Sequence, residues 1–344
     1  MDSPIRYSLV VPVLNEEAAL PLLFDRLNAL FDKLDGPGEV VFVDDGSTDL
    51  SAALIAEKAT TDPRYRLISF SRNFGHQIAI TAGMDVASGD AVIVLDADLQ
   101  DPPELVLSMI ERWKAGFEIV YAERISRQGE TLIKRWTANS FYRILRLLAS
   151  VDIPSNVGDF RLVDRKAVEV FRHMSERDPF VRGMFAWMGF RQTSVQYERP
   201  ARTVGETKYP LHKMISLALH GVIGFSDVPL RLALWTGFAV STIAGLLSIY
   251  IVVLTLYDHT LVPGWASTMV VVSLLSGINL FMTGVVGLYV GRIHAEAKRR
   301  PLYVIARTAG LKSAEPEDGV LFDRRAMRAS SESAPLRRKS DAAV

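Results

Sequence analysis

Two long stretches without a single charged side chain set the strongest limit on how this chain folds. Residues 232–256 and 265–291 each run to about 25 residues or more, and at ~1.5 Å of rise per residue such a helix exceeds the ~30 Å hydrocarbon core of a bilayer. Both are expected to span a membrane. The alternative, two buried helices of a soluble core, is disfavoured because such helices seldom run so long without a charge. The flanks agree: Arg202, Lys208, Lys213 and Arg231 precede the first run, Arg292, Lys298, Arg299 and Arg300 follow the second, and residues 258–264 between them hold no Lys or Arg. By the positive-inside rule both ends are cytoplasmic. Residues 1–7 show no signal-peptide pattern, so everything before the first run is expected on that same side.

Ahead of these runs, short apolar segments alternate with amphipathic helical patterns, the signature of a parallel α/β sheet. Residues 7–13, 40–43, 65–70, 91–95 and 119–121 are expected as strands, and 17–31, 52–59, 78–86 and 104–114 as helices, with Asn15 and Ser47 or Thr48 as N-caps. A helical pattern resumes over 130–151. Leu211, Met214, Ile215, Ala218, Leu219, Val222 and Phe225 then share one face, which suits a helix lying in the membrane interface, or else a core helix. Beyond Lys312 the chain is rich in Ser, Ala, Glu, Arg and Pro without apolar period and is expected to be disordered. The organisation expected is a catalytic domain over 1–208, an amphipathic interfacial helix over 209–228, a two-helix transmembrane hairpin over 229–292, and a basic, partly disordered tail over 293–344.

Composition narrows the chemistry. Lys+Arg and Asp+Glu both number 39, so no charge excess points to nucleic acid, and zero cysteines exclude disulfides, thiolate metal sites and a cysteine nucleophile. Ligands of a parallel α/β sheet bind at the carboxyl ends of its strands. Three expected strands end in carboxylates or amides: Asn15, Glu16 and Glu17 after the first, Asp44 and Asp45 at the second, Asp96, Asp98 and Gln100 at the fourth. That clustering is costly unless a cation or hydrogen-bond donors are there to be bound. Oxygen ligands favour a hard ion, Mg2+ or Mn2+, and Mg2+ commonly completes its shell with substrate phosphates, so a nucleoside diphosphate is the natural partner. No G-x-x-x-x-G-K-[ST] occurs and no G-x-G-x-x-G follows the first strand, which argues against a kinase, an NTPase or a dinucleotide enzyme. Asp101-Pro102-Pro103-Glu104 is more simply the start of the next helix.

VVPVLNEE, VFVDDGSTD, SFSRNFGHQIAITAGMD and VIVLDADLQDPPE, in this order and spacing, resemble the family 2 glycosyltransferases of the GT-A fold. NVGDFRLVDR, RTVGETKYPLHK and the two apolar runs are similar to one branch, the polyprenyl-phosphate glycosyltransferases, which include dolichol-phosphate mannose synthases and bactoprenol glucosyl transferases. The likeness covers about residues 7–300, with Thr207 standing where many relatives carry Ser. It implies a Rossmann-like, mixed but mostly parallel sheet. It also implies that Pro12, Asn15, Glu17, Asp44, Asp45 and Asp96 bind the nucleotide sugar, Asp45 facing the base, and that Asp96, Asp98 and Gln100 hold the metal ion. Asp159 and Asp98 would be the catalytic carboxylates, with Asp159 as base or orienting group. A salt bridge from Asp159 to Arg161 or Arg165 is the plainer reading of that residue. Arg124, Arg127, Lys134, Arg135, Arg202 and Lys208 would bind the lipid phosphate, where a solvated surface charge or a lipid-headgroup contact is the plainer reading of each.

The activity implied is inverting, metal-assisted transfer of one sugar, with UDP-glucose as expected donor and undecaprenyl phosphate as acceptor, at the cytoplasmic face of a bacterial inner membrane. The expected partners are therefore a nucleoside diphosphate sugar, a polyprenyl phosphate and the bilayer, with a homo-oligomer left open. Two other readings are weaker. A processive polysaccharide synthase carries Q-x-x-R-W, which residues 182–187 do not match, and a non-catalytic sugar-nucleotide sensor would not need Asp96, Asp98, Gln100 and Asp159 intact.

Overall fold

In a computed structural model of the protein, the structure describes residues 5–125, 157–174, 176–197, 228–257 and 264–311. The expected helix over 130–151, the interfacial segment up to residue 227, the tail beyond 311, and Arg127, Lys134, Arg135, Arg202 and Lys208 lie outside the described residues. The chain forms two compact units, one from residues 1–142, 151–209 and 300–344, the other from 143–150 and 210–299.

The first unit is built on eight strands: β1 (Tyr7–Val13), β2 (Gly38–Asp44), β3 (Tyr65–Phe70), β4 (Ala91–Val94), β5 (Ile119–Arg124), β6 (Val157–Asp164), β7 (Gln192–Tyr197) and β8 (Ile305–Ala309). They form one sheet in the order β7-β5-β6-β4-β1-β2-β3-β8. β1 runs parallel to β2 and β4, β2 to β3, and β5 to β7, while β6 and β8 run antiparallel to their neighbours. This is the mostly parallel mixed sheet that the GT-A resemblance implies. The helices are α1 (Leu20–Phe31), α2 (Ser51–Thr61), α3 (His76–Val86), α4 (Leu105–Lys114), α5 (Arg165–His173) and α6 (Val181–Trp187).

All seven residues of β1 are buried, because a central parallel strand is covered on both faces. Its alternate side chains Leu9, Val11 and Val13 pack with Leu20, Leu23 and Leu27 of α1 and with Val106 and Met109 of α4. On β2 and β3, Val41, Val43, Ile68 and Phe70 form a second cluster with Ala79 and Ala82 of α3. Gly83 lets α3 approach closely: a Cβ there would clash with Val10 Cγ1 and sit 3.2 Å from Val43 Cγ2.

The expected strands are found, β2 and β5 each extended by a few residues. The expected caps are corrected. α1 and α2 have Ala19 and Leu50 at their N-cap positions without side-chain capping bonds, because Asn15, Ser47 and Thr48 bond to each other across the two loops instead. Asp101 is corrected as well: it does not start α4, whose N-cap is Glu104, and its side chain is buried inside the unit. β6, β7 and β8 are not legible as strands in the sequence. β6 carries Asp159 and Arg161 within its run, β7 and β8 are partly exposed edge strands, and β8 lies in what the sequence marks as tail.

The second unit holds two long helices, α7 (Val228–Tyr257) and α8 (Trp265–Ala297), of 30 and 33 residues. Among the described residues one stretch, Leu274–Ala297, is long and apolar enough to cross a membrane, and the apolar stretch of α7, Leu230–Leu246, is shorter. The structure thus carries one candidate span where the sequence leads to two. Leu280, Phe281 and Ile293 of α8 are exposed, at 74%, 68% and 67%.

The close approach of α3 to β1 makes a test. Gly83→Ala should lower the unfolding free energy by about 1–3 kcal/mol through overpacking, read from denaturant melts of the purified protein, and Val10→Ala in the same chain should recover part of the loss. A melt unchanged by Gly83→Ala would refute the tight contact.

Candidate functional site

The carboxyl ends of β1, β2 and β4 lie side by side, and each delivers its polar residues to one edge of the sheet. Pro12 is buried in β1. Just beyond β1, Asn15 takes a left-handed φ of 56°, and its Oδ1 accepts the Thr48 amide at 2.8 Å while its own amide donates to Ser47 Oγ at 3.0 Å. Glu17 Oε2 accepts the Leu50 amide at 2.9 Å. The two loops are thereby locked to each other ahead of α2.

At the end of β2, Asp44 Oδ1 accepts the Ser47 amide at 2.9 Å, closing a turn over Asp45 and Gly46. Asp45 points to the loop after β3, where its carboxylate accepts the amides of Phe74 at 2.6 Å and Gly75 at 2.9 Å. Burial raises the Asp45 pKa and those two amides pull it back. Gly46, at φ 74°, admits this loop because a Cβ would meet the Arg72 carbonyl carbon at 2.7 Å and the Asn73 nitrogen at 2.8 Å.

After β4 the chain turns through Leu99 at φ 58°, a left-handed conformation that costs a branched side chain of order 1–3 kcal/mol. Asp98 Oδ1 spans that turn by accepting the Gln100 amide at 3.1 Å. The buried Oδ1 of Asp96 has no hydrogen-bond partner. His76 Nε2, at the start of α3, lies 3.6 Å from that atom. Burial pushes the Asp96 pKa up to about 6; His76 opposes this, and the charges of Asp159, Asp101 and Asp98 add to it. A cation or a hydrogen-bond donor would satisfy such an oxygen.

The antiparallel β6 supplies the other half of the site. Its register sets Val94 of β4 opposite Arg161, so two residues on it brings Asp159 level with Asp96. Asp159 is saturated where Asp96 is not. Arg182 at the start of α6 donates from Nε to Oδ1 at 2.9 Å and from Nη2 to Oδ2 at 3.2 Å, and Gln77 Nε2 donates to Oδ2 at 3.2 Å. His76 Nε2 lies 3.4 Å from Oδ2 and Arg161 Nη2 3.4 Å from Oδ1. Burial would raise the Asp159 pKa, but Arg182, His76 and Arg161 outweigh it and hold the group well below the carboxylate range. Burial lowers the His76 pKa and the two carboxylates more than restore it, leaving it raised.

Arg161 is fully buried, with its guanidinium 5.4 Å from the Tyr121 ring centre and 5.1 Å from that of Phe185, donating to the Gly158 carbonyl at 3.0 Å. Arg165, the other candidate partner of Asp159, pairs instead with Glu169 and the carbonyl of Ala87. Arg124, at the end of β5, lies over Gly158, where a Cβ would be 3.0 Å from its Nη2. It is held from behind: its Nε donates to Tyr197 Oη at 3.1 Å, its Nη2 is 3.7 Å from Asp101 Oδ2, and Tyr197 Oη donates to Asp101 Oδ1.

The structure therefore brings Asp44, Asp45, Asp96, Asp98, Gln100 and Asp159 to one edge and adds His76, Gln77 and Arg182, which the sequence reading passes over. His76 and Gln77 stand inside the motif SFSRNFGHQIAITAGMD, next to a glycine at a helix start, and that was their only signal. Arg182 had none. Cations and carboxylates are interleaved there, His76 lying between Asp96 and Asp159 and Arg182 paired with Asp159.

Removing one member of the Asp159 cluster leaves buried charge uncompensated. Asp159→Ala should cost about 3–5 kcal/mol in denaturant melts, and combining Asp159→Leu with Arg182→Met should cost less than the sum of the two single changes. Strict additivity would show that the cluster does not act as a unit.

Comparison with known proteins identifies the family. Residues 8–171 match the family described as glycosyl transferase family 2. The uncharacterized glycosyltransferase YkcC of Bacillus subtilis is 49% identical over 313 residues, covering 91% of this chain and 97% of that protein. A prophage bactoprenol glucosyl transferase homolog of Escherichia coli is 39% identical over 303 residues, covering 88% and 99%. The SfII prophage-derived bactoprenol glucosyl transferase of Shigella flexneri is 40% identical over 304 residues, covering 88% and 98%. With identities of this size running almost end to end through its relatives, the chain belongs to glycosyl transferase family 2 and is a glycosyltransferase.

Proposed function

We propose that this glycosyltransferase moves a glucosyl group from UDP-glucose to undecaprenyl phosphate at the cytoplasmic face of a bacterial inner membrane. The observation that carries this reading is that a saturated Asp159 and an Asp96 whose Oδ1 lacks a partner lie level with each other at one edge of the sheet. The names of the relatives from Escherichia coli and Shigella flexneri support a polyprenyl phosphate acceptor and a glucosyl donor. The apolar stretch Leu274–Ala297 supports membrane attachment, with α7 as the second arm of a hairpin.

In this reading Asn15, Glu17 and Asp44 shape the pocket for the nucleoside, and Asp45 sets the wall beside it by holding the amides of Phe74 and Gly75. Asp96, Asp98 and Gln100 are the residues that would hold Mg2+ or Mn2+. The fit rests on the unpartnered oxygen of Asp96 and on an all-oxygen donor set, which suits a hard ion needing only one or two carboxylates beside substrate phosphate. When bound, the ion stabilises the charge that develops on the leaving diphosphate. An oxygen of the acceptor phosphate attacks the anomeric carbon from the opposite side, the bond to the diphosphate breaks, and the diphosphate leaves with the electron pair, which inverts the centre.

The acceptor is already an anion, so the step asks for no proton removal. Asp159, held as a carboxylate by Arg182, Arg161, Gln77 and His76, acts as an orienting group: it fixes Arg182 and His76, the two of these cations that are not fully buried, where they can meet the reacting phosphates. Arg124 meets the acceptor phosphate from β5, together with Arg127, Lys134, Arg135, Arg202 and Lys208.

The test is transfer of radiolabelled sugar into solvent-extractable lipid by the full-length protein with undecaprenyl phosphate and Mg2+ or Mn2+, using a panel of UDP-glucose, UDP-N-acetylglucosamine and GDP-mannose. UDP-glucose should be the preferred donor. Asp96→Asn and Asp98→Ala should each lower kcat by about 100-fold or more, the scale expected for losing a group that stabilises transition-state charge. Preference for another donor overturns the sugar assignment, and full activity in Asp98→Ala overturns the metal assignment.

A further inference from the structure

The last described segment of the first unit returns to the sheet beside the site. After α8 the chain pairs β8 antiparallel to β3, and the Ser71 amide donates to the Val304 carbonyl at 2.9 Å, so the strap reaches past the end of β3 into the loop that follows it. Tyr303 is 1% exposed. Its ring stacks on Phe70, the last residue of β3, at 5.2 Å and 21°, and its hydroxyl donates to Asp85 Oδ2 of α3 at 3.1 Å.

Phe70 and Asp85 lie on the two elements that the loop 71–75 connects, so a single side chain ties the strand before the loop to the helix after it. Phe74 packs edge-on against Phe70 at 5.5 Å, and the amides of Phe74 and Gly75 bind Asp45. The next residue, His76, faces Asp96 and Asp159. Phe74, Ile78 and Leu302 join Tyr303 in the same apolar cluster.

We propose that Tyr303 is a positioning residue for the donor site: by stacking on Phe70 it sets the height of the loop that presents Asp45 and His76 to the nucleotide sugar. This deepens the reading of the donor site given above and rests on it. The ring is the working part and the hydroxyl is secondary, because stacking bears on the loop through Phe70 and Phe74 whereas the bond to Asp85 lies about two and a half turns along α3. Displacements of about 1 Å at such a wall are enough to weaken binding and catalysis many-fold.

The experiment measures KM and kcat of the full-length protein for whichever nucleotide sugar the wild type uses best in the donor panel, so that a wrong sugar assignment leaves this test intact. Tyr303→Ala should raise the KM for the nucleotide sugar about tenfold, with a smaller change in kcat and no change in the KM for the lipid acceptor. Tyr303→Phe should keep KM near that of the wild type. Leu302→Ala thins the same cluster without removing a ring from Phe70 and should lower the melting temperature without moving KM. If Tyr303→Ala proves too unstable to purify, Tyr303→Leu, which keeps most of the buried volume without the ring, serves in its place. An unchanged donor KM in Tyr303→Ala or Tyr303→Leu, alongside a lower melting temperature, would reduce Tyr303 to a core residue, and a Tyr303→Phe variant as impaired as Tyr303→Ala would overturn the role of the ring.

Discussion

The buried carboxylate of Asp159 is the interaction on which the site depends. Taking one carboxylate and two guanidinium groups out of water costs several kcal/mol per ion unless each is paired. Here the pairing is shared among three elements, with Arg161 on β6 itself, Gln77 and His76 on α3, and Arg182 on α6. Gln77 also accepts the Val181 amide, which pins the first residue of α6 to α3. The insertion of an antiparallel strand between β4 and β5 is what allows this. A parallel strand in that place would bring its carboxyl end to this edge, and Asp159, near the amino end of β6, would lie at the far side of the sheet.

Two aspartates facing one histidine have their pKa values pushed in opposite directions by what surrounds them. Asp159 has its oxygens engaged by cations and amides and stays a carboxylate, while Asp96, buried with one oxygen unpartnered and three further carboxylates acting on it, is pushed up to about 6. Environments that push like groups apart mark division of labour in a site. Asp101 adds a third case. It serves Arg124 and Tyr197 rather than the cleft, so the acid-rich stretch after β4 faces both ways, to the donor side through Asp96 and Asp98 and to the opposite side through Asp101.

Much of this was legible in the residues before any coordinates. Strands buried on both faces announce themselves as unbroken apolar runs, which is why β1 to β5 could be marked and why the acids at their ends fell on one edge. The failures share a physical cause. β6 buries Asp159 and Arg161, so its pattern is broken by the charges that make it matter, and β7 and β8 are edge strands whose half-exposed residues resemble loop. The caps expected at Asn15 and Ser47 were diverted to a loop-to-loop contact that no local rule describes. Asp101 next to two prolines had the composition of a helix start, and only the distant Tyr197 and Arg124 give it another use.

The position of β8 in chain order has a consequence for how the protein is made. β3 is synthesised early, but the strand that covers its outer edge, and the tyrosine that stacks on its last residue, follow α7 and α8 in the chain. On the ribosome the sheet therefore waits with one edge open until both long apolar helices have emerged. Completion of the first unit is thereby tied to the synthesis of the two long helices, and a chain cut short before Tyr303 would carry every acid of the site without the strap that packs on Phe70.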